Sequence, residues 1–141
     1  MAGTGEFYTQ RGYETQSGGE LTAAMEDYLE MICRIARGGG EVRVRELAAR
    51  LHVKPSSVSK MAAHLDALGY VTAEKYGLIR PTEAGRAAGD YLLWRHETVE
   101  RFLRMLNGSH DETEQAERIE HFLDRRTVAN LDRLARRMGN D

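Results

Sequence analysis

The sequence has little cysteine, proline or aromatic character. It contains one cysteine, two prolines and 7% aromatic residues among 141. A single cysteine, Cys33, excludes an internal disulfide and a CxxC metal site, and it is typical of a reducing compartment. The apolar runs are a few residues long, far below the roughly 20 needed to span a bilayer, and no basic and apolar leader is recognised. We therefore expect a cytoplasmic protein with no membrane partner.

The length and the distribution of charge narrow the function classes. At 141 residues and 15.9 kDa, the chain is too short for a large two-domain enzyme, and its core is thin enough to favour an oligomer. Residues 41–80 carry seven Lys/Arg against four Asp/Glu, whereas residues 91–124 carry four Arg against eight Asp/Glu. The first segment could meet a polyanion and the second a cation. The alternative is that both segments are solvated surfaces.

Residue patterns divide the chain into a flexible arm, a helix-turn-helix with a hairpin, and a helical segment. Residues 1–20 are rich in glycine and have no apolar period, which predicts the arm. An apolar stripe then predicts a helix with its N-cap at Thr22, ended by glycines 38–40. A second stripe predicts a short helix over residues 44–51, and Pro55 begins a third that Gly69 closes. Two strand-like runs about Gly77 predict a hairpin, which in this order is a wing.

The segment from residue 83 onward predicts further helices. Thr82 has the character of an N-cap for a long helix through about Asn107, with a break allowed inside it. Ser109 and Glu112 have the spacing of a capping box and predict a helix through roughly Leu123. A short last helix is predicted from Thr127 to Met138. The fold class is therefore dominated by α-helix, with a small β wing.

The third predicted helix has the composition of a DNA-recognition helix. Small hydroxyls and cations occupy its first turns and can approach phosphates or base edges, and two further cations lie on the predicted wing. The alternative is an ordinary capped helix with a polar face. The order of helices and wing favours DNA binding. The candidate DNA-binding residues are Lys54, Ser56, Ser57, Ser59, Lys60, Lys75 and Arg80.

Groups of metal-ligating side chains recur at helical spacing on three predicted helices. They are Asp27 with Glu30, His96 with Glu100, and Glu117 with Glu120 and His121. Each group alone is typical of a solvated helix face. Together they match the way in which helical bundles hold two divalent metals. Oxygen and imidazole ligands without thiolate favour Mn(II) or Fe(II) over a cysteine-bound zinc.

Five separated motifs then carry a resemblance to a known family. They are Met25-Glu-Asp-Tyr-Leu-Glu30, Lys54-Pro-Ser-Ser-Val-Ser-Lys60, Glu74-Lys-Tyr76, Arg95-His-Glu97 and Ile119-Glu-His121. Their order resembles that of the diphtheria-toxin-repressor family of metal-dependent transcriptional repressors, and most of all its manganese transport regulator branch. The similarity extends from about residue 21 to residue 125.

The resemblance implies a domain organisation and a ligand set. Residues 21–82 would form a winged helix-turn-helix DNA-binding domain, and residues 83–141 a helical dimerisation and metal-binding domain. The implied metal ligands are Asp27, Glu30, His96, Glu117, Glu120 and His121. They would hold two Mn(II) ions per protomer, with Fe(II) as the alternative. The iron-responsive branch resembles a softer site, with methionine and cysteine where this chain has Asp27 and Glu117.

The resulting hypothesis is a homodimeric, manganese-responsive repressor of metal-uptake genes that binds Mn(II) and then palindromic double-stranded operator DNA. Without metal, we expect the carboxylates to repel and the two lobes to sample many relative angles. Metal would fix the angle at which two recognition helices fit DNA. The alternatives are an iron-responsive repressor, a winged-helix binding module without metal sensing, and a di-metal carboxylate enzyme. No nucleophile motif or phosphate-binding glycine loop supports the enzyme.

Overall fold

The computed structural model describes residues 21–139, and the predicted arm, residues 1–20, lies outside this range. The helices are α1 (Ala23–Arg37), α2 (Val44–Leu51), α3 (Pro55–Ala67), α4 (Glu83–Asn107), α5 (Thr113–Ile119) and α6 (Arg125–Gly139). The strands are β1 (Val42–Arg43), β2 (Val71–Ala73) and β3 (Leu78–Pro81), and short 3-10 turns occupy Lys75–Gly77 and Glu120–Phe122. None of the helices between residues 21 and 139 is long and apolar enough to cross a membrane.

Helix α1 forms the centre of the first apolar core. The Thr22 hydroxyl accepts a hydrogen bond from the Met25 backbone N–H at 3.2 Å, so the helix begins with the predicted cap. It ends at Gly38. Leu29 and Ile32 are fully buried against the helix-turn-helix and the first turns of α4. Burial of this stripe, more than helix propensity, holds α1 in the fold.

Helices α2 and α3 form the predicted helix-turn-helix. α2 ends at His52, whose left-handed backbone (φ 57°) turns the chain, and α3 begins at Pro55. Val58 and Leu65 bury one face of α3 and leave the other face in solvent. The exposed face is therefore available to a partner.

The wing is an antiparallel sheet in the order β1-β3-β2. Val71 of β2 pairs with Pro81 of β3, which confirms the predicted hairpin. Val42 of β1 pairs with Ile79 on the other side of β3. β1 was not predicted, because two residues are too few to show an alternating pattern.

Helix α4 connects the first core to a second one. It begins after the predicted Thr82 cap, whose hydroxyl accepts from the Gly85 N–H, and it runs unbroken to Asn107. A Cβ on Gly89 would collide with Cys33, so this glycine allows α1 and α4 to cross closely. Farther along, Val99 and Leu103 pack with Ala116 of α5 in the second core.

Two predicted boundaries in the second half of the chain were wrong. Helix α5 begins at Thr113, because the Ser109 hydroxyl donates to the Glu112 carboxylate at 2.6 Å and does not accept from the backbone as a cap would. The α-helix also ends at Ile119 and tightens into the 3-10 turn at residues 120–122. Such tightening is common at helix C-termini. It determines the directions of Glu120 and His121.

Candidate metal centre and nucleic-acid interface

Buried polar side chains lie between the two apolar cores. On α4, Arg95 and His96 follow Leu93 of the first core and precede Val99 of the second. Arg95 is 2% exposed, His96 is 6% exposed and Glu120 is fully buried. Charged groups are rarely buried to this extent unless they are paired or bind a cation. We refer to this region, which also includes Glu26, Asp27, Glu30, Glu117 and His121, as the inter-core cluster.

One part of the inter-core cluster has four potential ligands. Glu30, His96, Glu117 and Glu120 each offer one atom, and these atoms all lie within 4.8 Å of one another. His96 Nδ1 lies 2.7 Å from Glu120 Oε2 and 3.1 Å from Glu117 Oε1. The donors are three carboxylates and one imidazole, a set that suits divalent manganese or iron.

A second part shares Glu117 with the first. Ligand atoms of Asp27, Glu117 and His121 lie within 4.8 Å of one another. His121 Nε2 is 2.9 Å from Asp27 Oδ1. The structure thus brings together all six residues that the resemblance implied as ligands, although their role in metal binding stays a prediction.

The 3-10 turn after α5 directs the side chains of Glu120 and His121 to different parts of the inter-core cluster. With three residues per turn, adjacent side chains point about 120° apart. Glu120 consequently faces His96, while His121 faces Asp27. Glu100, the predicted partner of His96, lies 3.2 Å from its other nitrogen, Nε2, and is outside both groups of ligand atoms.

The electrostatics of the first group fit a divalent cation. Glu30 Oε1 and Glu120 Oε1 are buried and have no hydrogen-bond partner among the described residues. Burial and the negative charges of Glu120 and Glu117 raise the pKa of Glu30 to about 8. Glu120 Oε1 lies 3.6 Å from Arg95 Nη2, too far for a hydrogen bond. Buried carboxylate oxygens without a hydrogen bond are costly, and a cation near both would satisfy them.

Both histidines are poised to carry a proton when no metal is bound. Hydrogen bonds to Glu117 and Glu120 raise the pKa of His96 to about 10. Burial opposes the charge on His121, but Asp27 and Glu26 outweigh it and raise the pKa of His121 to about 10. With Arg95 and Arg34, these imidazolium groups balance much of the carboxylate charge. Protons therefore offset the bare repulsion that the sequence led us to expect.

Two residues of the cluster were not in the predicted ligand set. Arg95 Nη2 donates to Glu26 Oε1 at 3.0 Å, and Glu26 Oε1 also lies 2.8 Å from His121 Nδ1. Burial disfavours the charged Glu26 carboxylate, but His121 and Arg95 hold its pKa below the ordinary value. Glu26 thus fixes the His121 ring with Nε2 toward Asp27, as an outer carboxylate does for a metal-bound histidine. Glu26 and Arg95 are next to Asp27 and His96 in the sequence motifs, and this adjacency could have identified them as partners of the site.

The structure exposes all seven predicted DNA-binding residues. Those of the helix-turn-helix are Lys54, Ser56, Ser57, Ser59 and Lys60, and those of the wing are Lys75 and Arg80. Arg80 Nε forms an ion pair with Glu74 at 2.8 Å. Within residues 21–139, the three lysines form no ion pair, so their charges are free to meet phosphates. DNA contact by these residues stays a prediction.

Comparison with known families gives matches to two adjacent domains. Residues 20–78 match the family described as iron dependent repressor, N-terminal DNA binding domain. Residues 82–141 match iron dependent repressor, metal binding and dimerisation domain. The inter-core cluster draws Asp27 and Glu30 from the first match and the other four candidate ligands from the second.

Individual relatives agree with these matches. The chain is 42% identical over 103 residues to a Geobacillus kaustophilus protein named HTH-type transcriptional regulator MntR, covering 72% of this chain and 73% of that protein. It is 36% identical over 121 residues to the Bacillus subtilis protein of the same name, covering 85% of each. A solved manganese-dependent transcriptional repressor in complex with manganese is similar with a TM-score of 0.68 and 29% identity, over 78% of this chain. The chain spans about half of that structure's length, 51%.

Proposed function

The chain belongs to the iron dependent repressor family, and from that premise we propose that it is a manganese-responsive, homodimeric DNA-binding repressor of metal-uptake genes. The observation that carries the proposal is the inter-core cluster, in which all six candidate ligands converge and Glu117 is common to two groups. The matched relatives are named as regulators, so the enzyme alternative is set aside. We place the protein in the cytoplasm, with the DNA that a repressor binds.

Two divalent ions per protomer fit the ligand atoms. Glu30, His96, Glu117 and Glu120 would hold one, and Asp27, Glu117 and His121 the other. When bound, the ions supply positive charge to which carboxylates from both lobes attach. The donors are hard oxygens and imidazoles without sulfur, which favours Mn(II). Fe(II) accepts similar ligands, so it is the alternative that the experiment must separate.

The candidate ligands belong to different lobes. Metal binding would therefore change the position of the DNA-binding surface relative to the second lobe. Asp27 and Glu30 lie on α1, which packs against α2 and α3 in the first core. His96, Glu117, Glu120 and His121 lie on α4, α5 and the turn that follows. Joining the two sets fixes the recognition helix relative to the second lobe. The fraction of protein in the DNA-competent geometry rises accordingly.

A dimer is needed for two recognition helices to reach half-sites about 34 Å apart. The second lobe has exposed large apolar side chains that a monomer would leave in water. These are Leu106, Phe122, Leu134 and Met138, each between 37% and 60% exposed. The matched domain is described as a dimerisation domain. We therefore assign dimerisation to this lobe.

The deciding experiment selects DNA with and without metal. The metal-free protein is incubated with random-sequence duplex DNA at fixed salt, and Mn(II), anaerobic Fe(II) or Zn(II) is titrated in. The bound fraction is then sequenced. We expect one palindrome, enriched only with metal, and at free Mn(II) concentrations where Fe(II) has no effect. Enrichment by Fe(II) at the lower concentration would instead identify an iron-responsive repressor.

A matched pair of variants tests the link between metal and DNA. Asp27→Ala removes a candidate ligand of the inter-core cluster. Glu114→Ala removes an exposed carboxylate of α5 that pairs with Arg118 at 2.7 Å. Only Asp27→Ala should shift the Mn(II) dependence of DNA binding. An unchanged response of Asp27→Ala at every Mn(II) concentration, or the same palindrome without metal, would leave a plain winged-helix protein.

A further inference from the structure

The turn of the wing holds a tyrosine in an unusual state. Tyr76 has φ 64° and ψ 25°, and Gly77 follows with φ 76°. The Tyr76 side chain is 93% exposed, the largest exposure of a large apolar or aromatic residue in the part of the chain that the structure describes. The tyrosine thus combines a left-handed backbone with a side chain that has almost no contact with the fold.

This conformation is unfavourable for tyrosine. Two successive residues with positive φ at a hairpin turn are normally asparagine, aspartate or glycine, because a Cβ crowds the backbone there. A buried ring could compensate through packing, but the Tyr76 ring is in solvent. Tyr76 therefore lowers the stability of the wing, and its ring makes no contact within the fold that would compensate. Such residues are characteristic of binding sites.

The turn is fixed so that the ring points outward. The Glu74 N–H donates to the Leu78 carbonyl at 2.7 Å and closes the hairpin. Arg43 Nη1 donates to the Tyr76 carbonyl at 3.3 Å, from the neighbouring strand β1. Lys75, beside the tyrosine, is exposed and forms no ion pair within residues 21–139. An exposed aromatic ring on a backbone-fixed turn, beside a free cation, complements an anionic partner with apolar surface.

The wing is attached directly to the recognition helix. The Ala73 N–H donates to Asp66 Oδ2 of α3 at 2.9 Å. Tyr76 is three residues beyond Ala73, which is at most about 10 Å of extended chain. A DNA major groove is about 12 Å wide. With α3 in the groove, the turn can reach the sugar–phosphate backbone at its edge.

We propose that Tyr76 is a DNA-contact residue whose ring packs on deoxyribose beside the groove that α3 enters and whose hydroxyl donates to a phosphate. Lys75 meets the adjacent phosphate. The inference rests on the proposed DNA-binding function and adds to it an aromatic contact that charge alone does not provide. Tyrosine is among the side chains that make phosphate contacts, and these contacts do not depend on base sequence. A random-sequence duplex is therefore an adequate probe.

The test compares Tyr76→Asn with Tyr76→Phe and Lys75→Ala. Asparagine tolerates the left-handed backbone, so Tyr76→Asn should unfold at higher urea concentration than the wild type. With Mn(II) saturating, its affinity for a fluorescent random-sequence duplex should fall about tenfold, as for loss of an interface tyrosine. The slope of log affinity against log salt should not change, since no charge is lost. Lys75→Ala should reduce this slope by about one. Tyr76→Phe keeps the ring but loses the hydroxyl donor, so it should lose affinity, but less than Tyr76→Asn.

Each outcome supports or overturns a specific claim. If Tyr76→Asn is more stable and binds DNA as tightly as the wild type, the ring has another partner and the inference is wrong. It is also wrong if Tyr76→Asn is less stable, because the ring then serves the fold. If the wild-type protein binds no duplex at any Mn(II) concentration, the proposed function itself fails. Mn(II) affinity should be equal in all four proteins, which separates DNA contact from metal binding.

Discussion

The two faces of α1 are held by different kinds of contact. Leu29 and Ile32 are fully buried among apolar side chains. Glu26, Asp27 and Glu30, on the other face, meet arginine, histidine and carboxylate groups of α4 and the turn after α5. One helix thus takes part both in an apolar core and in a charged joint between two cores.

The difference shows where the molecule can respond to its surroundings. Apolar burial depends little on protonation or metal, so it should keep α1, α2 and α3 together at any state of the charged face. The charged face contains titratable groups that, under the proposed function, exchange protons for metal, so its energy should change with both. We therefore expect a rigid DNA-binding lobe and a responsive joint. Five predictions test this contrast.

The largest effect should be that of pH on metal affinity. At neutral pH without metal, Glu30 (pKa about 8) and both histidines (pKa about 10) hold protons. Ions need the deprotonated groups, so loading should release about two to three protons, and the combined affinity should fall roughly a hundredfold or more per pH unit below pH 8. Calorimetry in buffers of different ionisation enthalpy counts these protons. Release of fewer than one would show that the joint does not exchange protons for metal.

The same three groups determine whether the stability of the metal-free protein rises or falls with pH. Because these three pKa values are raised by folding, the folded chain holds more protons than the unfolded chain, and stability falls as pH rises. Glu30 loses its contribution between about 4.5 and 8, and the histidines lose theirs between about 6.5 and 10. Urea unfolding of the metal-free protein should therefore show a lower midpoint at pH 9 than at pH 6. With saturating Mn(II) the midpoint at pH 9 should be at least as high as at pH 6, because the metal-bound groups have no protons to lose.

Leu29→Ala should damage the apolar face alone. Loss of a fully buried leucine costs about 3 kcal/mol of unfolding free energy. The additional stability conferred by Mn(II) should be the same as in the wild type, because the variant leaves the charged face unchanged. Urea titrations with and without Mn(II) measure both quantities. A smaller Mn(II) increment in the variant would contradict the independence of the two faces.

Glu117→Ala should lower metal affinity and leave the apolar core unchanged. Glu117 is common to both groups of candidate ligands, so its loss should lower Mn(II) affinity at least about a hundredfold, more than the 10- to 100-fold typical of outer partners. Glu114→Ala, on the same helix and exposed, is the control and should bind Mn(II) normally. Electron paramagnetic resonance of Mn(II) titrations reports free and bound ion. Loss of only one of two ions would mean that the groups are independent.

Glu26→Gln should have a smaller effect. The amide oxygen still accepts from His121 Nδ1, but the charge that pairs with Arg95 is lost, so we expect about a tenfold loss of Mn(II) affinity. Glu26→Ala, which also removes the acceptor, should lose more. Equal affinities for the two variants would show that the carboxylate does not orient the histidine.

Much of the fold follows from patterns that are local in the sequence. The caps at Thr22 and Thr82 and the helix starts at Val44 and Pro55 are where the residues predicted them. The two-residue strand β1 was missed, because its pairing with β3 joins residues more than 30 positions apart. The start of α5 was misplaced, because the Ser109 hydroxyl has a choice between backbone and side-chain partners that sequence does not resolve.

The candidate ligand set likewise divides into what the sequence predicts and what only folding decides. Residue types and the resemblance identified six residues that the structure brings together, with Glu26 and Arg95 as unforeseen partners. The expected repulsion was offset, because the pKa values of His96, His121 and Glu30 depend on neighbours brought close only by folding. Likewise, the exposure and left-handed backbone of Tyr76 follow from the hairpin turn and not from its motif.

The sequence by itself determined most helices, the hairpin of the wing and the chemical nature of the candidate ligands, because apolar period, capping residues and donor type are properties of short segments. The tertiary structure decided which ligand faces which, since Glu120 and His121 are neighbours in the chain yet turn to different groups. It also decided the protonation of the joint, because burial and charge pairing act through space. The physical reason is the same in both cases: local forces shape elements, whereas electrostatic energy depends on distances between elements.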